Sequence, residues 1–129
     1  MRPDLLRKAG QAITALSAVV IAYATLRPNL STGLAGDDTM WHFLLFLPLG
    51  AGGALWLAQY PLDIQRKARL GILIVALLFA AATELAQGPI EGRSPSMSDF
   101  VADAAGVSVG LLVGGWMATR GRRAQARRD

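Results

Sequence analysis

The sequence predicts an all-α fold: a four-helix transmembrane bundle with both termini on the cytoplasmic side. Three observations carry that expectation. Hydrophobic residues make up 53% of the chain and charged ones only 17%, and the charges are bunched rather than spread. The bunches separate four apolar runs, Ala9 to Leu26, Met40 to Ala58, Leu70 to Ala86 and Val101 to Ala118, each 17 to 19 residues long. A helix needs about 20 residues to cross the hydrocarbon core. Finally, "LLFLPLGAGGALWLA" and "ILIVALLFAAA" have no polar residue every third or fourth position, so they lack the wet face that a helix of a soluble bundle must present. At this length, residues 1–129 read as a single domain.

The first span, 9–26, follows the basic segment "MRPDLLRK". That segment, with Ala22-Tyr23-Ala24 downstream, also has the outline of a cleavable signal. The apolar run is longer than a usual signal core and continues to Leu26, so a retained span is expected. "RPNLSTGLAGDD" then breaks the helix before the second span, 40–58, and the basic loop "QYPLDIQRKAR" leads into the third, 70–87. The loop "GPIEGRSPSMS" carries the proline, glycine and serine that end one helix and start the next, the fourth span at 100–118. Gly106, Gly110 and Gly114 form a GxxxGxxxG ridge on that span, and Gly50, Gly53 and Ala54 soften the second. Such ridges let backbones approach closely in lipid. The motif serves equally for packing within the bundle and for a homodimer or membrane-protein partner.

Basic residues set the orientation. Arg2, Arg7 and Lys8 precede the first span, Arg66, Lys67 and Arg69 lie between the second and third, and Arg120, Arg122, Arg123, Arg127 and Arg128 follow the fourth. These are eleven of the 13 basic residues, and four spans place them all on one side, which the positive-inside rule makes cytoplasmic. The pI near 10.3 therefore reflects topology anchors, and no nucleic-acid partner is expected. Without cysteine, no disulfide, thiolate ligand or cysteine nucleophile enters the chemistry.

Depth then follows from helix rise. His42 lies four residues beyond Asp38 on the same face of the second span, about 6 Å deeper at 1.5 Å per residue. Glu84 is about one turn below the outer end of the third span, near Gln87, and Asp103 one turn below Asp99 at the start of the fourth. Ionisable groups at that depth cost a few kcal/mol each when facing lipid, so they are expected to point inward and pair. His42, Glu84 and Asp103 form a polar cup, with Asp38, Gln87, Asp99 and Arg93 around it. Asp38 also suits a helix N-cap, and Ser96 with Asp99 fits an S-x-x-D capping box. Glu84 has no such local role; only Gln87 in its own helix is placed to satisfy it.

Asp38-x-x-x-His42-Phe43, Glu84-x-x-Gln87, Arg93 and Asp99-x-x-x-Asp103-x-x-Gly106-x-x-x-Gly110, taken in order, resemble the VanZ-like family of small membrane proteins, named for a member that confers low-level resistance to teicoplanin. The resemblance runs from Asp38 to Gly110. Two positions depart from it: Thr39 stands where the family usually has lysine, and Asp103 where it has asparagine, which makes the cup more acidic. The resemblance implies a bacterial cytoplasmic-membrane protein acting in the cell envelope at the outer face, with glycopeptide tolerance as one setting. It defines no reaction, and whether the chain is an enzyme stays open.

Four functions fit the cup. The first is a site for an envelope lipid or glycoconjugate, with Arg93 on a phosphate, His42, Glu84 and Asp103 receiving hydroxyl or amine groups, and Asp38, Gln87 and Asp99 as further candidate binding residues. The second is hydrolysis or group transfer, with Glu84, His42 and Asp103 as candidate catalytic groups. Asp38, His42, Glu84, Asp99 and Asp103 supply donors of the kind a divalent cation takes, although no HExxH or nucleophile motif indicates a metal and no cofactor is assigned. The third is a proton-coupled carrier or accessory subunit. In the fourth the cup only locks the bundle, and the glycine ridge docks a larger envelope protein.

Overall fold

A computed structural model of the protein describes residues 3–27 and 38–125. Four helices run in order: α1 (Pro3–Leu26), α2 (Asp38–Trp56), α3 (Leu62–Gln87) and α4 (Met97–Gln125). A 3-10 turn, Leu57–Gln59, prolongs α2. No strand occurs among the described residues, and all four helices are long and apolar enough to cross a membrane. The segment 28–37, Arg2, Arg127 and Arg128 fall outside the described residues.

The helices overrun the apolar runs that predict them. The clearest correction is "QYPLDIQRKAR", expected as a loop: α3 begins at Leu62, so the basic residues Arg66, Lys67 and Arg69 are helical. Likewise α4 continues through Arg120, Arg122 and Arg123. Falling hydropathy marks where a chain leaves hydrocarbon, and Gln, Arg, Lys and Ala keep it helical beyond that point. Pro61 supplies the break. It sits extended (φ −55°, ψ 154°) at the N-cap position of α3, its carbonyl accepts from the Gln65 amide at 2.9 Å, and Gln65 Nε2 donates to the Tyr60 carbonyl at 2.6 Å.

α2 is the hub. Each of three small residues on it faces a different neighbour. A Cβ on Gly50 would run into the Val107 carbonyl of α4, one on Gly52 would meet Ile13 and Thr14 of α1, and one on Gly53 would press on Ile72 of α3. The reciprocal surface on α4 is the glycine ridge. Gly106 abuts the Phe43 carbonyl, Gly110 that of Leu47 and Gly114 that of Ala51. Matching i, i+4, i+8 positions in the same order show that α2 and α4 run parallel, and this is the most extensive helix contact in the molecule. Of the two uses the sequence left open for Gly106, Gly110 and Gly114, the intrachain one is realised; all three are buried against α2.

Ile21, Phe46, Leu49, Ala80, Val107 and Leu111 fill the centre, with Phe46 and Phe79 rings 6.1 Å apart and tilted by 42°. Leu16, Val19, Ile74, Val75, Leu78 and Leu112 point outward, an apolar exterior suited to lipid. The bundle thus has two unlike ends. At the basic end Arg122 Nη1 caps the Ala58 carbonyl at 2.9 Å, a cation on the negative pole of the α2 extension, and Arg120 stacks 3.9 Å over the Trp116 ring. The other, polar end gathers the last turns of α1 and α3 and the first turns of α2 and α4.

Substitution tests the backbone contact. Gly110→Ala forces a methyl into the Leu47 backbone and is expected to destabilise the bundle by about 1–3 kcal/mol, the usual cost of overpacking. Gly71→Ala, with nothing within 4 Å of the added carbon, is expected to be neutral or slightly stabilising. Thermal unfolding in detergent micelles distinguishes the two.

Candidate functional site

The polar end is built from four segments. α2 brings Asp38, Thr39 and His42; α3 brings Glu84 and Gln87; the α3–α4 connection brings Arg93 and Ser96; α4 brings Asp99 and Asp103. Gly92 shapes that connection. Its φ of 77° lies in the left-handed region, where a Cβ is disfavoured. The amides of Gly88, Ile90 and Arg93 close successive tight turns onto Leu85, Gln87 and Ile90.

The three groups expected at one depth meet. His42 Nδ1 lies 3.0 Å from Asp103 Oδ1 and 3.6 Å from Glu84 Oε1. All three residues are buried: His42 is 3% exposed, Glu84 5% and Asp103 0%. Glu84 is oriented by a group that no sequence signal reveals, the main-chain amide of Ser96, which donates to Oε2 at 2.8 Å. This also corrects the capping box. Ser96 Oγ does accept from the Asp99 amide, at 3.3 Å. The reciprocal half is absent, because the Ser96 amide is given to Glu84 on α3 and Asp99 Oδ1 accepts instead from the Thr39 hydroxyl, at 2.7 Å. Half of the local cap is kept, and the other half is exchanged for ties to α2 and α3.

Asp38 is the first residue of α2, and its largely exposed carboxylate accepts from Arg93 Nη1 at 3.3 Å. Arg93 Nη2 donates to the Ala24 carbonyl of α1, also at 3.3 Å. The guanidinium therefore spans α1 and α2 across the rim, and meeting an anion takes exchange of the exposed Asp38 carboxylate. Gln87 is buried one turn beyond Glu84, and its Nε2 has no hydrogen-bond partner among the described residues. All seven nominated residues thus lie at the polar end. Thr39 and the Ala24 carbonyl are the groups at this end that sequence reasoning missed, together with the role of the Ser96 amide, since Ser96 was read as a cap. Thr39 stood out only as a departure from a family pattern, and backbone groups carry no residue signature.

Two openings reach the cluster. A groove of about 390 Å³ between α3 and α4 is lined by Glu84, Leu85, Pro95, Ser96, Met97 and Phe100; Leu85 and Met97 on it are 74% and 76% exposed on the outer surface of the bundle. A smaller cavity of about 130 Å³, between α1 and α2, is bounded by Thr25, Asp38, Trp41, His42, Leu45 and Arg93. The first opens sideways, where lipid would be, onto a carboxylate.

Comparison with protein-family models, with curated protein sequences and with solved structures finds no match to this chain.

The Thr39–Asp99 tie provides a test of the site's architecture. Thr39→Val keeps the shape and removes the hydroxyl that donates to Asp99, leaving its buried carboxylate short of a partner. A loss of about 1–3 kcal/mol is expected by the usual cost of an unsatisfied buried acceptor, with Thr39→Ser restoring most of it, read by thermal unfolding in micelles.

Proposed function

We propose that the chain is a VanZ-like protein of the bacterial cytoplasmic membrane whose polar end lies at the outer face and binds an envelope lipid or glycoconjugate. The observation that carries this reading is the lateral groove between α3 and α4. Its walls are almost wholly apolar, yet one side chain lining it is the buried carboxylate Glu84, hydrogen-bonded to Ser96 and beside His42. A groove of that composition suits an amphiphile, with chains against Leu85, Met97 and Phe100 and a polar headgroup turned in toward Glu84. The placement at the outer face rests on the concentration of basic residues at the opposite end. Arg93, on the rim, is the cation available to a phosphate once Asp38 yields it. The resemblance of the ordered polar spacing to that of VanZ-like proteins supports an envelope setting and makes glycopeptide tolerance the phenotype to examine in the native host.

Native mass spectrometry of wild type and Glu84→Gln, each purified from its own membranes and checked for folding by circular dichroism, tests the reading. A lipid or glycoconjugate retained by the wild type and lost from an equally folded variant is expected. Identical spectra with nothing retained by either protein would contradict it.

A further inference from the structure

The hydrogen bonds of the buried cluster do not balance. His42 Nδ1 carries at most one proton, and the 3.0 Å contact to Asp103 Oδ1 uses it. Glu84 Oε1, at 3.6 Å, is beyond hydrogen-bond length from the same nitrogen. Glu84 Oε1 and Asp103 Oδ2 have no hydrogen-bond partner among the described residues, although both residues are more than nine-tenths buried. Two carboxylate oxygens converge on one imidazole nitrogen, only one of them at hydrogen-bond length, and the Thr39 hydroxyl is spent on Asp99. Carboxylates buried in a lipid-spanning bundle need a proton or a counter-charge. Arg93 is turned to Asp38 and the Ala24 carbonyl, and Arg27 to the Tyr23 hydroxyl.

We infer that His42, Glu84 and Asp103 form a binding site for a first-row divalent metal ion of the zinc class. One donor atom from each lies within 4.8 Å of the other two. A tetrahedral shell with bonds of about 2.1 Å sets its donors about 3.4 Å apart, and the 3.0 and 3.6 Å separations around Nδ1 bracket that value. The donor chemistry selects the class of ion. One imidazole with two carboxylates suits zinc and its neighbours, whereas calcium and magnesium favour all-oxygen shells. The support is also in place: the Ser96 amide holds Glu84 Oε2, leaving Oε1 turned to His42, the kind of second hydrogen bond that orients a metal ligand. Three protein donors leave a coordination position for a further group. Because Glu84 also borders the lateral groove, a headgroup oxygen arriving by that route is the natural occupant. The site goes beyond lipid binding and does not depend on it. A cation here would, however, turn an acidic cup into one that attracts an anion.

The chain has one histidine and no cysteine, which makes the test specific. Protein purified without a histidine tag is analysed for metal by mass spectrometry, stripped with chelator, and titrated with Zn²⁺ in micelles. X-ray absorption is then recorded on the zinc-loaded sample. The expected result is one ion per chain, a Kd on the order of a micromolar or tighter, and a light-atom shell containing a single imidazole, which only His42 can supply. Asp103→Asn and Glu84→Gln are expected to weaken binding by more than about tenfold, with Gly71→Ala as the fold-neutral control. Zinc binding weaker than millimolar, or a bound ion without imidazole scattering, would overturn the inference from the wild type alone, whether or not the variants fold. Lipid retained without metal would overturn the metal site only. Metal bound without lipid would overturn the lipid reading and leave the metal site standing.

Discussion

The contact between His42 on α2 and Asp103 on α4, with Glu84 of α3 beside it, is the constraint around which the polar end is arranged. Each of these side chains would cost on the order of a few kcal/mol if turned to the lipid. They are instead buried against one another at 3.0 and 3.6 Å. Once they must meet, the rotation of three helices about their axes is decided. The Thr39–Asp99 and Ser96–Glu84 hydrogen bonds fall within reach, and Arg93 ties α1 to the same rim through the Ala24 carbonyl.

Glycine makes that meeting sterically possible. His42 and Asp103 are short for side chains that bridge two helices, so α2 and α4 must come close. Gly106, Gly110 and Gly114 against the backbones of Phe43, Leu47 and Ala51 allow it. The ridge begins one turn below Asp103, so the close approach and the polar contact are consecutive parts of one interface. α3 packs less intimately, and its looser seam with α4 leaves the groove by which Glu84 is reached. The function proposed for the molecule thus sits where tight packing gives way.

Much of this was legible in the sequence because it depends on periodicity and rise. Four apolar runs of spanning length announced four helices, and counting turns from Asp38, Gln87 and Asp99 brought His42, Glu84 and Asp103 to one level. Helix ends were less legible. Hydropathy reports contact with hydrocarbon, and α3 carries its helix eight residues ahead of Leu70 on Gln, Arg and Lys. Contacts that rest on tertiary geometry were not legible at all. Ser96 and Asp99 spell a capping box, yet half of it is exchanged for bonds to Glu84 and Thr39. The GxxxGxxxG ridge reads the same whether its partner is α2 or another molecule.

The 3.0 Å contact between these buried side chains implies that His42 and Asp103 are energetically coupled across the α2–α4 interface. A double-mutant cycle with His42→Asn and Asp103→Asn, measured by reversible unfolding in metal-free micelles, tests it most directly. Polar pairs between membrane helices average about 0.6 kcal/mol and reach about 1.7. For a fully buried pair at 3.0 Å a coupling of about 1 kcal/mol or more is expected. A coupling indistinguishable from zero, with both single variants folded, would mean that the two side chains do not meet and would contradict the account.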